Sequence, residues 1–152
     1  MLGLFLPLPF VPNQPHLAVG AGDGFVYIRH LRDGGLVTSL RASRSNTAFF
    51  SYPRVADLEF SADGQTLVTA ADDAVRVWNM TDYSFTTLSP RPRGDVGASE
   101  VAISSNGQFV VMSHYDERTY LWDLTQTSQH QEFTQRVSWR KNLILVPNQE
   151  FC

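Results

Sequence analysis

Four aspartates and four histidines are the side chains of this 152-residue chain best suited to binding a metal or moving a proton. Asp23, Asp72, Asp73 and Asp116 are the oxygen ligands a calcium ion would use. Each, however, stands in a short turn between apolar segments, where an Asp side chain accepts hydrogen bonds from the backbone and holds the turn. The turn role is the one expected of them. His16, His30, His114 and His130 share no spacing of the kind that binds a metal. His114, two residues before Asp116, suits a structural hydrogen bond better than catalysis. The chain has no phosphate-binding loop, nucleophile elbow or pair of carboxylates on one element. The expectation is a noncatalytic protein with no catalytic residue, metal or cofactor.

The remaining polar chemistry is cationic. Arg41 and Arg44 lie in a polar segment, as do Arg91 and Arg93, and both segments are rich in Arg, Ser, Pro and Gly. Guanidinium groups in such loops suit phosphates or acidic peptides. Sparse surface charges are more often simply solvated, so these four arginines stand as candidate partner-binding residues set against that plainer reading. A net charge of -3 gives no overall attraction to nucleic acid or to an anionic membrane.

These residues hang on a repeat. Asp63-Gly64-Gln65, a short apolar strand, an acidic turn and Val75-Arg76-Val77-Trp78-Asn79 recur as Asn106-Gly107-Gln108 and Tyr120-Leu121-Trp122-Asp123. The glycines are 43 residues apart and the tryptophans 44, which is the length of one four-stranded propeller unit. Alternation of apolar and polar residues predicts strands over 55–60, 66–71, 74–80 and 85–88, then over 100–104, 109–114, 118–124 and 131–134. A weaker copy precedes them, with strands over 4–10, 16–21, 25–31 and 36–40. In that copy Arg29 stands where the later copies carry Trp78 and Trp122. The predicted organisation is a divergent first unit over 4–40, a loop over 41–54, a second unit over 55–88 and a loop over 89–98. A third unit follows over 99–134, and residues 135–152 begin a further unit or form a tail.

Phe60-Ser61-Ala62-Asp63-Gly64 with Val77-Trp78-Asn79, and Ile103-Ser104-Ser105-Asn106-Gly107 with Leu121-Trp122-Asp123, resemble the WD40-repeat family. The resemblance implies an all-β fold of WD40-like propeller blades, about three four-stranded antiparallel sheets in an incomplete ring. It implies a scaffold or adaptor that binds other proteins or peptides. Members brace each blade with a Trp, a hydroxyl residue, an Asp of the turn and a His before the first strand. Carried over, these are Trp78, Thr69 and either Asp72 or Asp73 in the second unit, and Trp122 and Asp116 in the third, where Met112 replaces the hydroxyl. Asp23 holds the turn position in the first unit. The His is missing from every unit, so strand pairing and apolar burial are expected to outweigh the polar brace. Ubiquitin-ligase substrate receptors of the family carry Arg three residues after the Trp; Thr81 and Thr125 stand there in this chain. A fragment of a larger WD40 protein, such as one of those receptors, is an alternative reading, and a lactonase-like propeller enzyme a remoter one.

Propellers close with four to eight blades, and 152 residues supply three units and a fraction. Open terminal faces of several hundred Å² would favour coverage by several kcal/mol at about 25 cal/mol per Å². No segment reads as a polar cap, so self-association through the open terminal blades is expected. The apolar start, Met1 to Phe10, lacks a preceding basic residue and contains Pro7 and Pro9, unlike a signal peptide. No apolar run is long enough for a membrane helix. Cys152 is the only cysteine, which leaves no disulfide within the chain. A cytoplasmic or nuclear protein is the expectation, although Asn79-Met80-Thr81 has the form of a glycosylation acceptor.

Overall fold

The computed structural model describes residues 15–44, 53–88, 97–115, 118–126 and 130–133. They form eleven strands and no helix. β1 (His16–Gly20), β2 (Phe25–His30) and β3 (Leu36–Arg41) make the first sheet. β4 (Val55–Phe60), β5 (Thr66–Ala71), β6 (Val75–Asn79) and β7 (Phe85–Leu88) make the second. β8 (Ala98–Ile103), β9 (Phe109–His114), β10 (Thr119–Asp123) and β11 (His130–Phe133) make the third. Every pairing is antiparallel between neighbours in sequence, so each sheet is a meander. The strand expected over 4–10, the turn at Asp116 and the segment 135–152 lie outside the described residues.

Local chemistry sets the turns. Ser61 N–H bonds the Thr66 carbonyl at 2.9 Å, and Gly64 N–H bonds the Ser61 carbonyl at 2.9 Å. Asp63 Oδ1 accepts the Gln65 N–H at 2.9 Å and the Ser61 hydroxyl at 2.6 Å. Gly64 alone in this turn takes a positive φ, 72°, and Gly107 repeats it at 72° in the third sheet, a conformation in which a Cβ would be strained. Asn106 and Ser104 there reproduce the bonds of Asp63 and Ser61.

Two apolar cores lie between the sheets. Ala18, Val26, Ile28 and Leu40 of the first sheet meet Val55, Leu58, Phe60, Leu67 and Trp78 of the second. The opposite face of the second sheet, with Val68, Ala70, Val75 and Leu88, meets Val101, Val110, Met112, Tyr120 and Trp122 of the third. Leu67 and Val68 are adjacent yet belong to different cores, because successive side chains of a strand point to opposite faces. The second sheet is therefore buried on both sides. Among the described residues the three sheets form no closed ring.

No pair of carboxylates was expected on one element, but β4 carries one, Asp57 and Glu59, and it clasps the inner strand β8 of the next sheet. Asp57 Oδ2 accepts the Val101 N–H of β8 at 3.0 Å, and Glu59 Oε2 accepts the Ile103 N–H at 2.9 Å. Burial pushes both carboxyls above their ordinary pKa, and the backbone N–H bonds pull the other way without cancelling it.

Candidate interaction surface

In a four-stranded meander the start of the first strand, the turn from second to third and the exit of the fourth share one end of the sheet. That geometry gathers Arg41 at the end of β3 and Arg44 after it, Arg54 before β4, Asp72 and Asp73 between β5 and β6, and Tyr115 after β9.

Asp73 and Arg76 occupy the centre of this end. The Arg76 guanidinium donates to Asp73 at 3.0 Å through Nη1 and 2.7 Å through Nη2, and Nη1 also donates to the Ala42 carbonyl. Asp73 Oδ2 accepts the Arg44 N–H at 2.9 Å. Arg76 is only 4% exposed, so its charge is compensated inside the fold. Asp72, buried, accepts from Arg54 N–H at 3.2 Å and from Arg54 Nε at 3.4 Å, and Arg54 reaches on to the Tyr115 hydroxyl and stacks over its ring at 5.5 Å. The two aspartates thus tie together segments from all three sheets. Gly97 fits beside them because a Cβ there would stand 2.6 Å from the Asp72 Cα.

Trp78 Nε1 donates to Thr69 Oγ1 at 3.0 Å, with both residues buried. Where the family resemblance calls for a His before the first strand, Arg54 reaches Asp72 through both its backbone and its side chain. In the third sheet Met112 and Tyr120 are buried beside Trp122, and the His114 ring meets Tyr120 edge-on at 5.1 Å. Asp23 Oδ1 accepts the Phe25 N–H at 3.0 Å and Oδ2 the Tyr27 hydroxyl at 2.6 Å. Asp116, Arg91 and Arg93 lie outside the described residues.

With the acidic groups of this end engaged, Arg41 and Arg44 are exposed cations at its margin. Arg41 Nε donates to the Ser43 carbonyl at 3.4 Å, and the Arg44 guanidinium lies 5.6 Å over the Phe85 ring. Sequence reasoning missed Arg54, Arg76 and Tyr115. The position of Arg54 directly before β4 was the available signal, since any residue there faces the Asp72 turn.

At the opposite end, a groove of about 460 Å³ is lined by Gln65, Trp78, Asn79, Ser84, Phe85 and Leu124 among others. Its lining residues carry no acid, base or thiol. Among the described residues no three of His, Cys, Asp and Glu gather as a metal site would require.

The chain matches no curated protein. Residues 44–79 match the family model described as WD domain, G-beta repeat. The matched stretch runs from Arg44 through β4, β5 and β6, and so contains Thr69, Asp72, Asp73 and Trp78. A sheet of the same meander design packs on each side of it. The chain therefore carries a WD40 repeat within an array of propeller-type blades.

Proposed function

We propose that the protein is a noncatalytic scaffold or adaptor that holds other proteins or peptides at the loop end of its blades, with an intracellular location. WD40 domains generally bind other proteins and are generally noncatalytic, and the matched repeat at 44–79 belongs to that class. The observation that carries the reading is the unequal engagement of charge at the loop end. Asp72 and Asp73 are held by Arg54 and Arg76, while Arg41 and Arg44 remain exposed. An exposed guanidinium beside a rigid turn favours an acidic partner.

The test is affinity capture from the native source with the wild-type protein and with the double variant Arg41→Ala/Arg44→Ala. The variant is expected to retain the wild-type circular-dichroism spectrum, because the Arg44 bond to Asp73 is made by the backbone. Recovery of the principal partner is expected to fall at least about fivefold, the effect of about 1 kcal/mol of lost charge-assisted bonding. Equal recovery removes this end from consideration.

A further inference from the structure

The first sheet carries a pair of side chains that the repeat does not call for. Its register is fixed by the Pro15 carbonyl, which accepts the Leu31 N–H at 2.8 Å, as Gln65 accepts from Met80 at 2.9 Å and Gln108 from Leu124 at 2.8 Å. Pro15 therefore corresponds to Gln65 and Gln108. His16 and His30, the last pair of the β1–β2 ladder, stand where the second sheet pairs Thr66 with Asn79 and the third pairs Phe109 with Asp123. Neither of those pairs holds an imidazole. The two histidines are 14 residues apart in sequence, which is why spacing alone concealed them; the hairpin brings them side by side.

His16 Nε2 and His30 Nδ1 lie 3.1 Å from one another, with the rings tilted by 49° and their centres 4.8 Å apart. His30 is exposed and His16 half-buried. The backbone beneath them is held on both strands. Besides the Leu31–Pro15 bond, the His30 N–H bonds the Gly35 carbonyl and the His30 carbonyl accepts the Gly34 N–H, each at 2.9 Å. Between two neutral imidazoles the ring contact is an N–H···N hydrogen bond, in which one ring presents its proton and the other its lone pair. The same separation has a second use. Imidazole nitrogens bind zinc at about 2.0–2.1 Å, so two of them at angles between a right angle and a tetrahedral one stand about 2.8–3.4 Å apart. The two nitrogens already have the bite of a bidentate ligand.

We propose that His16 and His30 form a surface chelate for a late first-row divalent cation, with zinc as the test case. Imidazole is a ligand for copper, nickel and zinc alike. For both contact nitrogens to face the ion, the ring that donates the hydrogen bond takes the tautomer with its proton on the other nitrogen. Both rings stay neutral, and rotation about the two Cβ–Cγ bonds turns the lone pairs onto one point. Two protein ligands are fewer than the three or four of a catalytic or structural site, so water fills the remaining positions and the ion is exchangeable. Because the chelate needs the native register of β1 on β2, the unfolded chain does not offer it, and bound metal stabilises the fold by mass action.

Zinc titration of the isotope-labelled full chain, followed by NMR at the histidine ring protons, tests this. The ring signals of His16 and His30 are expected to shift together and saturate at one ion per chain, while those of His114 keep their positions. His16→Thr and His30→Asn place the second sheet's own residues at these positions. Each is expected to weaken zinc binding at least about a hundredfold, the loss of the second point in a two-point attachment. The melting temperature of the wild type is expected to rise with zinc more than that of either variant. Movement of one ring without the other, movement of neither, or equal zinc affinity in wild type and variants overturns the chelate and leaves the pair its hydrogen bond alone. Saturation at one ion per two chains assigns the metal to a contact between copies and overturns it as well. If neither variant folds, the joint shift of the two ring signals in the wild type decides: its presence supports the chelate and its absence refutes it.

Discussion

Arg76 is a charge accepted into the fold on condition that Asp73 opposes it. At 4% exposure its guanidinium has exchanged water for Asp73 and the Ala42 carbonyl, and a buried cation without its partner is among the costliest defects a fold can carry. Asp73→Ala is therefore expected to destabilise the protein by about 3–5 kcal/mol in urea unfolding. Arg76→Met, which removes the charge while keeping the side chain's bulk, should cost clearly less; the reverse order would show that the pair is not held as described. Thr69 is a milder case. Thr69→Val removes the acceptor of the Trp78 Nε1 bond and should cost about 1–2 kcal/mol, with a change in tryptophan emission. Thr69 and Trp78 were legible in the sequence because the repeat aligned them. Arg76 was not, because a cation in the strand Val75-Arg76-Val77-Trp78 reads as solvent-facing, although its alternation places it on the Trp78 side.

The strand β4 carries two acids where a core strand would ordinarily alternate with neutral residues, and the clasp they form gives it a pH dependence of definite sign. Burial raises the pKa of Asp57 and Glu59 in the fold, so the native state binds more protons than the unfolded chain just above the ordinary carboxylate range. Their contribution to stability is present below that range, declines as pH rises through it towards the raised folded values, and is flat beyond. Asp63, buried little, and Asp82 and Asp123, on the surface, have lowered pKa values from hydrogen bonds with Ser61, Ser84 and Thr125. Their contributions run the other way, present above the ordinary range and lost as pH falls. The two effects are separated by Asp57→Asn/Glu59→Gln, which keeps an acceptor oxygen at each place. Its melting temperature relative to the wild type should improve as pH rises above about 4 and then level off; a difference that does not change with pH would mean that the fold does not raise the pKa of the two acids. Most of this element level was written in the sequence: the expected strands at 55–60, 66–71, 85–88 and 109–114 coincide with β4, β5, β7 and β9. Hairpin alternation and Asx turns are local, so a single segment reveals them. The clasp pairs residues 44 apart, and alternation alone marked Asp57 and Glu59 as polar without saying that another strand's backbone would receive them.

At the scale of the whole array, the first sheet answers the exposure problem in a way the sequence was not expected to contain. Ala18, Val26 and Ile28 face the second sheet, so alternation turns Leu17, Val19, Tyr27 and Arg29 to the opposite face. The register that equates Pro15 with Gln65 and Gln108 places Arg29 at the position of Trp78 and Trp122. Where those tryptophans are 3% and 4% exposed in cores between sheets, Arg29 is exposed, donates to the Gly34 carbonyl at 2.9 Å and lies 5.9 Å over the Tyr27 ring. Tyr27 in turn is held by Asp23. The substitution of a cation for the blade's most apolar residue gives this face a polar character where the other two blades carry a buried Trp. A cation at this position is expected to oppose self-association through this face. Arg29→Trp restores the repeat's own residue on a face that no described sheet covers and adds on the order of 150–250 Å² of aromatic surface. Its weight-average mass by light scattering should therefore rise with concentration more steeply than that of the wild type. Coincident mass curves for the two proteins would mean that Arg29 does not guard the face, and that association, if any, is governed elsewhere on the array.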